Sequence, residues 1–253
     1  MFGKPPPWPS KSGRVACLSK QVPCCWQFWE DEMELYDAMR KTFAARNYTG
    51  EEMPDDVLYE ILENARFAPS GGNRQGNRII VVRDQETKNA LSVLNEPAAK
   101  RYMAQINAGE NPWNSYAPTV CTPEEIEATP PASLLTEPVK ECSVALVFIV
   151  DLKVVASMDQ NLERVGIISG GSVYPFVWNV LMAARQAGFG GTITTLACAE
   201  EQKVKDLLAI PENFAVCAVV PLGKPIKQLT KLKRLPVEEI AMRESFNGAA
   251  FKV

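Results

Sequence analysis

The chain has 253 residues, 46% of them hydrophobic, with 27 Lys and Arg against 30 Asp and Glu for a formal net charge of −3. That is enough for one sizeable domain or two small ones; it lacks the basic footprint of a nucleic-acid binder and any apolar run long enough to span a membrane. Histidine is absent, which excludes Ser-His and Cys-His catalysis and most catalytic zinc sites, so no metal centre is expected and chemistry must come from carboxylates, hydroxyls, thiols, lysine or a bound cofactor.

In chain order, residues 1–32 are expected to lie outside the core fold. "KPPPWPSKSG" suits neither helix nor strand, and "VPCCWQFWEDE" is an isolated aromatic cluster; the alternative is an arm that packs on a partner subunit. The core, residues 33–253, opens at Met33 with a helix over 34–45, Leu35, Ala38, Met39 and Phe43 sharing one face. Pro54, Asp55 and Asp56 start a second helix, whose apolar stripe is Val57, Leu58, Ile61, Leu62 and Ala65. Pro69 stops it, and Gly71 and Gly72 permit backbone angles that a side chain disfavours. "RIIVVR" at 78–83 predicts a strand, and Asp84 caps a helix running through Leu94.

Residues 96–138, rich in Pro, Asn and Glu, are predicted to be irregular, and so long a loop-like stretch in a compact domain marks a functional segment. "SVALVFIVD" at 143–151 is apolar without alternation and predicts a central strand buried on both faces. A helix follows over 171–187, with Val173, Phe176, Val177, Val180, Leu181 and Ala184 inward and Gly188 as its stop. After "GTITTL" come a helix over 200–209, a strand in "FAVCAVVPLG", and a tail over 228–253 that begins with the basic stretch "KQLTKLKRLPVEEI". The seven cysteines form no Cys-x-x-Cys pair; Cys142 and Cys217 border or lie in apolar runs and read as small core hydrophobes. An odd thiol count without a signal peptide points to a reducing cytoplasm.

Three polar clusters stand at the ends of apolar elements: Arg40, Lys41 and Thr42; the loop over 69–75; and Lys233 with Arg234. Separated basic clusters plus a glycine-backed amide loop suit a ligand with a phosphate at one end and a flat polar ring at the other. "GFGGT" at 188–192 lacks the spacing of a dinucleotide fingerprint, and "GGSVY" at 170–174 is no nucleophile elbow.

With these elements between them, "ARFAPSGGNRQ", "NVLMAARQAGFGGTITTL" and "KRLPVEEI" resemble the FMN-dependent nitroreductase superfamily over about residues 34–242. The resemblance implies an α+β, three-layer fold with a central mixed sheet flanked by helices, assembled as an intertwined homodimer with FMN at the subunit interface. It assigns Arg40, Lys41 and Thr42 to the flavin, and lays Pro69, Ser70, Gly71, Asn73 and Gln75 along the ring and ribityl chain. Thr194 and Thr195 would edge the isoalloxazine, and Arg234 with Lys233 would hold the phosphate. Two departures stand out: Gln75-Gly76-Asn77 replaces the family's Gln-Pro-Trp, and Arg46 falls two positions beyond the family's second Arg. The implied reaction is ping-pong electron transfer from NAD(P)H to a nitroaromatic, quinone or enone-like acceptor, with no catalytic side chain required. The same fold also hosts reductive dehalogenation, flavin fragmentation and non-catalytic flavin binding. The segment over 96–138 is expected to be the substrate lid, with Tyr102, Trp113 and Tyr116 as stacking rings.

Overall fold

In the computed structural model, which describes residues 33–253, a four-stranded sheet carries helices on both faces. The expectations for residues 1–32 lie outside the described residues. Strand β2 (Val144–Asp151) is central, in the order β1-β2-β4-β3, with β1 (Asn77–Val82), β3 (Gly190–Gly191) and β4 (Phe214–Gly223). Every strand pair is antiparallel, because the helical connection from β1 to β2 returns the chain to the same end of the sheet, where Val82 faces Ala145. The expected mixed character is confined to one parallel bridge, Ala44 to Gly191.

The unalternating run in β2 is explained by its position. Successive side chains point to opposite faces, and both faces are core. Leu146, Phe148 and Val150 pack with α2 (Asp55–Ala65) and α7 (Tyr174–Gln186). Ala145, Val147 and Ile149 pack with α3 (Gln85–Leu94), α6 (Ser133–Glu141) and α8 (Glu201–Leu208). Each fully buried Val, Leu, Ile or Phe contributes about 1.5–3 kcal/mol. The ring of Phe148 meets Phe176 edge-on at 5.6 Å, which fixes α7 over the sheet.

Helix α1 (Leu35–Lys41) is shorter than predicted. Thr42 is extended, and Ala45 N–H donates to the Gly191 carbonyl at 2.9 Å, so the chain leaves the helix to line the sheet edge. Helix α7 starts at Tyr174, with Pro175 in its first turn, and is preceded by a 3₁₀ turn over Ile168–Ser172. Its stop is as predicted: Gly188 has φ +77°, and Phe189 N–H bonds back to Ala184 at 2.8 Å.

The main correction concerns residues 96–138, which are largely helical. Helix α4 (Glu96–Asn107) buries Ala98, Ala99, Ala104 and Gln105; α5 is Pro123–Ala128, and α6 begins at Ser133 and contains Pro138. Small and polar buried positions give α4 a weak apolar stripe. A four-residue helix, α9 (Val237–Ile240), lies in the tail.

Candidate functional site

The loop over 69–75 enters β1 at one edge of the sheet. Gly72, Asn73 and Gln75 all have left-handed backbones, with φ of 61°, 53° and 50°. For non-glycine residues such angles cost of order 1–3 kcal/mol and collect at ligand clamps. Local hydrogen bonds hold the shape: Gln75 N–H donates to Ser70 Oγ at 3.0 Å and Asn73 N–H to the Ser70 carbonyl at 2.8 Å. Ser172 braces it from outside, accepting from Gly71 N–H at 3.0 Å through Oγ and from Asn77 Nδ2 at 2.7 Å through its carbonyl. Residues 71–75 stay exposed as residues, although the amides of Gly71, Asn73, Arg74 and Gln75 are bonded within the loop or to its brace. Ser70 and Gln75 line a cavity of about 150 Å³ together with Arg66, Arg78 and Phe176.

The brace is itself anchored by Asp159, whose side chain is 3% exposed. It accepts from Ile167 N–H at 2.7 Å, Ile168 N–H at 3.2 Å and Arg164 Nη1 at 2.8 Å. The Ile167 amide, followed by Arg164 and Ile168, pulls this carboxyl down to about 2. A depressed folded-state pKa stabilises the fold fully above the unfolded value near 4, and that contribution disappears as pH falls through about 2. Urea midpoints measured from pH 5 to pH 2 are therefore expected to fall more steeply for the wild type than for Asp159→Asn. Parallel curves would mean the carboxylate does not anchor this segment.

At the opposite edge, the chain after β3 runs back along β4. Thr194 exchanges both backbone hydrogen bonds with Val219, at 3.0 and 2.8 Å. The hydroxyl residues Thr192, Thr194 and Thr195 line a cavity of about 180 Å³. Its wall is apolar, from Leu134, Leu135, Pro138 and Val139, and its one charged side chain is Arg46. Tyr102 of α4 completes the lining. Arg46, left without a role by its displacement along the sequence, thus joins Thr194 and Thr195, because residues 44–48 follow the sheet edge beside Gly191.

The remaining predicted residues are placed differently. Arg40 is exposed and lies over the Tyr36 ring at 5.9 Å. Lys41 pairs with Asp37 at 2.9 Å. Thr42 is buried, its hydroxyl donating to the Ala38 carbonyl at 2.7 Å. It lines a narrow crevice with Arg185 and Gln228, whose Nε and Nε2 atoms are buried without acceptors. Lys233 and Arg234 are exposed on the tail. Trp113 packs within its own segment: its indole N–H donates to the Ala98 carbonyl at 3.3 Å, and Arg101 covers its ring at 4.2 Å. Tyr116 is fully exposed. Of the three lid rings, Tyr102 alone lines the cavity with Thr194 and Thr195.

Sequence reasoning missed a larger, mostly apolar cavity of about 600 Å³, lined by Val150, Val173, Tyr174, Thr195, Cys198 and Cys217 among others. Burial pushes the Cys198 thiol up to about 12 and Cys217 up to about 11, so neither supplies a thiolate nucleophile near neutrality. The two sequences carrying these thiols look like ordinary apolar turns and strands; nothing in them marks a cavity. Among the described residues there is no cluster of three or more metal-ligating side chains and no helix long and apolar enough to cross a membrane.

The donor set suits FMN in parts. Hydroxyls, one guanidinium and an apolar wall fit the polar edge and face of a flat ring; the strained amide loop fits a polyol; exposed arginines fit a phosphate. Yet the loop stands at the β1 edge and the hydroxyl-lined cavity at the β3 edge, with two strands between them. Within one chain they line separate cavities.

Comparison with known proteins gives the same direction. The profile described as "Nitroreductase family" matches residues 39–224. The chain is 24% identical over 201 residues to an FMN reductase [NAD(P)H] of Bacillus subtilis, covering 79% of this chain and 70% of that one. It is 27% identical over 207 residues to a NADH dehydrogenase of Thermus thermophilus, covering 81% and 93%. In structure it is similar to an oxidized iodotyrosine deiodinase bound to FMN and 3-iodo-L-tyrosine, with TM-score 0.61, 21% identity, and 84% and 100% of the two chains covered.

Proposed function

The chain belongs to the nitroreductase family and is an FMN-dependent oxidoreductase, and we propose that it carries electrons from NADH or NADPH to a flat nitroaromatic, quinone or enone-like acceptor. The chemistry FMN supplies when bound is two-electron transfer at N5. The chain's own residues bind and orient. Thr194, Thr195 and Arg46 would hold the ring's polar edge, Ser70, Asn73 and Gln75 the ribityl chain, and Arg40 and Arg234 the phosphate. The α6 wall and Tyr102 would exclude water from the ring.

The observation that carries this reading is the separation of two ligand-like surfaces to opposite edges of one sheet. A two-fold dimer apposes unlike patches twice, so the β1-edge loop of one subunit can complete the β3-edge cavity of its partner. This one arrangement supports both homodimerisation and a shared site.

Mixed dimers test it. Asn73→Gly keeps the left-handed backbone and removes the amide; Arg46→Ala with Thr194→Val strips the opposite edge. Each variant alone is expected to lose tight FMN binding. Coexpressed with random pairing, they should recover it at about a quarter of the sites, since one site of every mixed dimer is intact. No recovery, or full binding by either parent, would sink the shared site.

Reductive dehalogenation is the second reading, favoured by the deiodinase-like structure, whose whole length is covered. Steady NAD(P)H oxidation with a quinone but none with a halotyrosine separates the two.

A further inference from the structure

Away from every residue assigned above, a cavity of about 300 Å³ opens where the ends of β1 and α6 meet the starts of α3 and β2. Lys88 lines it although only 6% exposed. Its ammonium donates to the Cys142 carbonyl at 2.8 Å and pairs with no carboxylate among the described residues. Arg83 lines the same cavity. Its Nε and Nη2 engage Asp55 Oδ1 at 3.0 and 2.7 Å, and Nη2 also reaches the Met53 carbonyl at 2.8 Å. That leaves Nη1 buried with no acceptor. Ser143 Oγ accepts from Met53 N–H at 2.6 Å, and its own hydrogen can turn into the cavity. Lys140 stands at the opening, 3.4 Å from Glu137.

An ammonium taken out of water needs a counter-charge as well as a hydrogen bond. The fold supplies a carbonyl dipole and, farther off, the Asp84 carboxylate, which forms no ion pair with Lys88 and is committed to the Thr87 amide and hydroxyl. Cys142 cannot supply the charge, because burial pushes its thiol up to about 12 despite Lys88 beside it. Glu52 and Glu141 also line the cavity, but both are exposed, and neither pairs with Lys88. One orphaned donor, an ammonium whose hydrogen-bond partner carries no charge, and a hydroxyl with its hydrogen uncommitted gather around one cavity, and together they suit an acceptor with charge and several oxygens.

We propose that this cavity binds a small dianionic oxyanion of the phosphate or sulfate type, held by Lys88 Nζ, Arg83 Nη1 and Ser143 Oγ, with Lys140 at the mouth. Its walls come from α3, α6 and the residues adjoining β1 and β2, Arg83, Cys142 and Ser143, so the anion ties the last helix of the 96–138 segment to the ends of the two strands.

Inorganic phosphate is the probe, added to the purified protein saturated with FMN and compared with sodium chloride at equal ionic strength. At ten times its dissociation constant, phosphate should raise Tm over chloride by about 3–5 °C. Lys88→Met should remove that difference and raise Tm in phosphate-free buffer, since it deletes the uncompensated charge. If Lys88→Met does not fold, Arg83→Gln and Lys140→Ala should each shrink the shift, with Arg83→Gln the larger effect. Equal shifts in phosphate and chloride, or an undiminished phosphate shift in the variants, overturn the proposal. Release of FMN over the same phosphate range would place the anion at the cofactor site and overturn it as well.

Discussion

Arg234→Ala and Arg40→Ala should each weaken FMN binding at least tenfold, with no change in the melting temperature of the flavin-free protein. Among the described residues neither guanidinium has a carboxylate partner. Arg234 Nη1 donates to the Lys233 carbonyl at 2.6 Å, and Arg40 lies over the Tyr36 ring. Their remaining donors are exposed and free to grip a phosphate in the forked geometry that arginine favours. A charge-assisted hydrogen bond contributes about 1.5–3 kcal/mol, and about 1.4 kcal/mol is a factor of ten. Exposure means the fold loses nothing when either is trimmed. Lys41 is different: it is paired with Asp37 at 2.9 Å, so Lys41→Ala should cost less affinity than either arginine change. Flavin-fluorescence titration measures all three. Wild-type affinity in both arginine variants would place the phosphate elsewhere, and the orphaned Arg185 Nε and Gln228 Nε2 beside Thr42 would be the next place to look.

Which parts were legible in the sequence follows from where burial is one-sided or complete. The run in β2 reads as a buried strand because seven consecutive residues are core, and α2 reads as a helix because Leu58, Ile61 and Ala65 recur at its period. Gly188 announces the end of α7. The segment over 96–138 read as irregular because α4 buries alanines and a glutamine in place of large aliphatics, while prolines sit in α4, α5 and α6. A local signal was present: Thr122, Pro123, Glu124 and Glu125 form a complete capping box, with Thr122 Oγ1 accepting from Glu125 N–H at 3.2 Å and Glu125 answering at 2.8 Å. The proposed site is half legible. Residue types at motif spacing marked the loop and the two threonines, but their separation to opposite sheet edges is a property of strand order. Strand order follows from long-range pairing, and no local pattern encodes it. Arg46 shows the same limit, since it reaches Thr194 and Thr195 only because residues 44–48 leave α1 early and run along the sheet.

The same geometry divides the lid aromatics into two kinds, with opposite expected phenotypes. Tyr102→Ala should lower kcat/KM for an aromatic acceptor more than tenfold while leaving Tm and FMN affinity close to wild type. Tyr102 is half-buried on α4 and lines the cavity with Thr194, Thr195 and Arg46, where a ring can stack on a flat acceptor. Trp113→Ala should do the reverse, lowering stability by about 1.5–2 kcal/mol with little change in acceptor kinetics. The estimate adds one indole hydrogen bond, about 1 kcal/mol, to a partly exposed cation–π contact of about 0.5–1 kcal/mol. Both interactions lie inside the segment, to the Ala98 carbonyl and Arg101. Losing them also uncovers Arg101, whose Nε is buried without a partner. Tyr116, fully exposed, serves as the control and should change neither quantity. Thermal melts and acceptor kinetics on the three variants decide the assignment. If Trp113→Ala keeps its stability and loses turnover selectively with large acceptors, Trp113 is the stacking ring and the separation of roles drawn here is wrong.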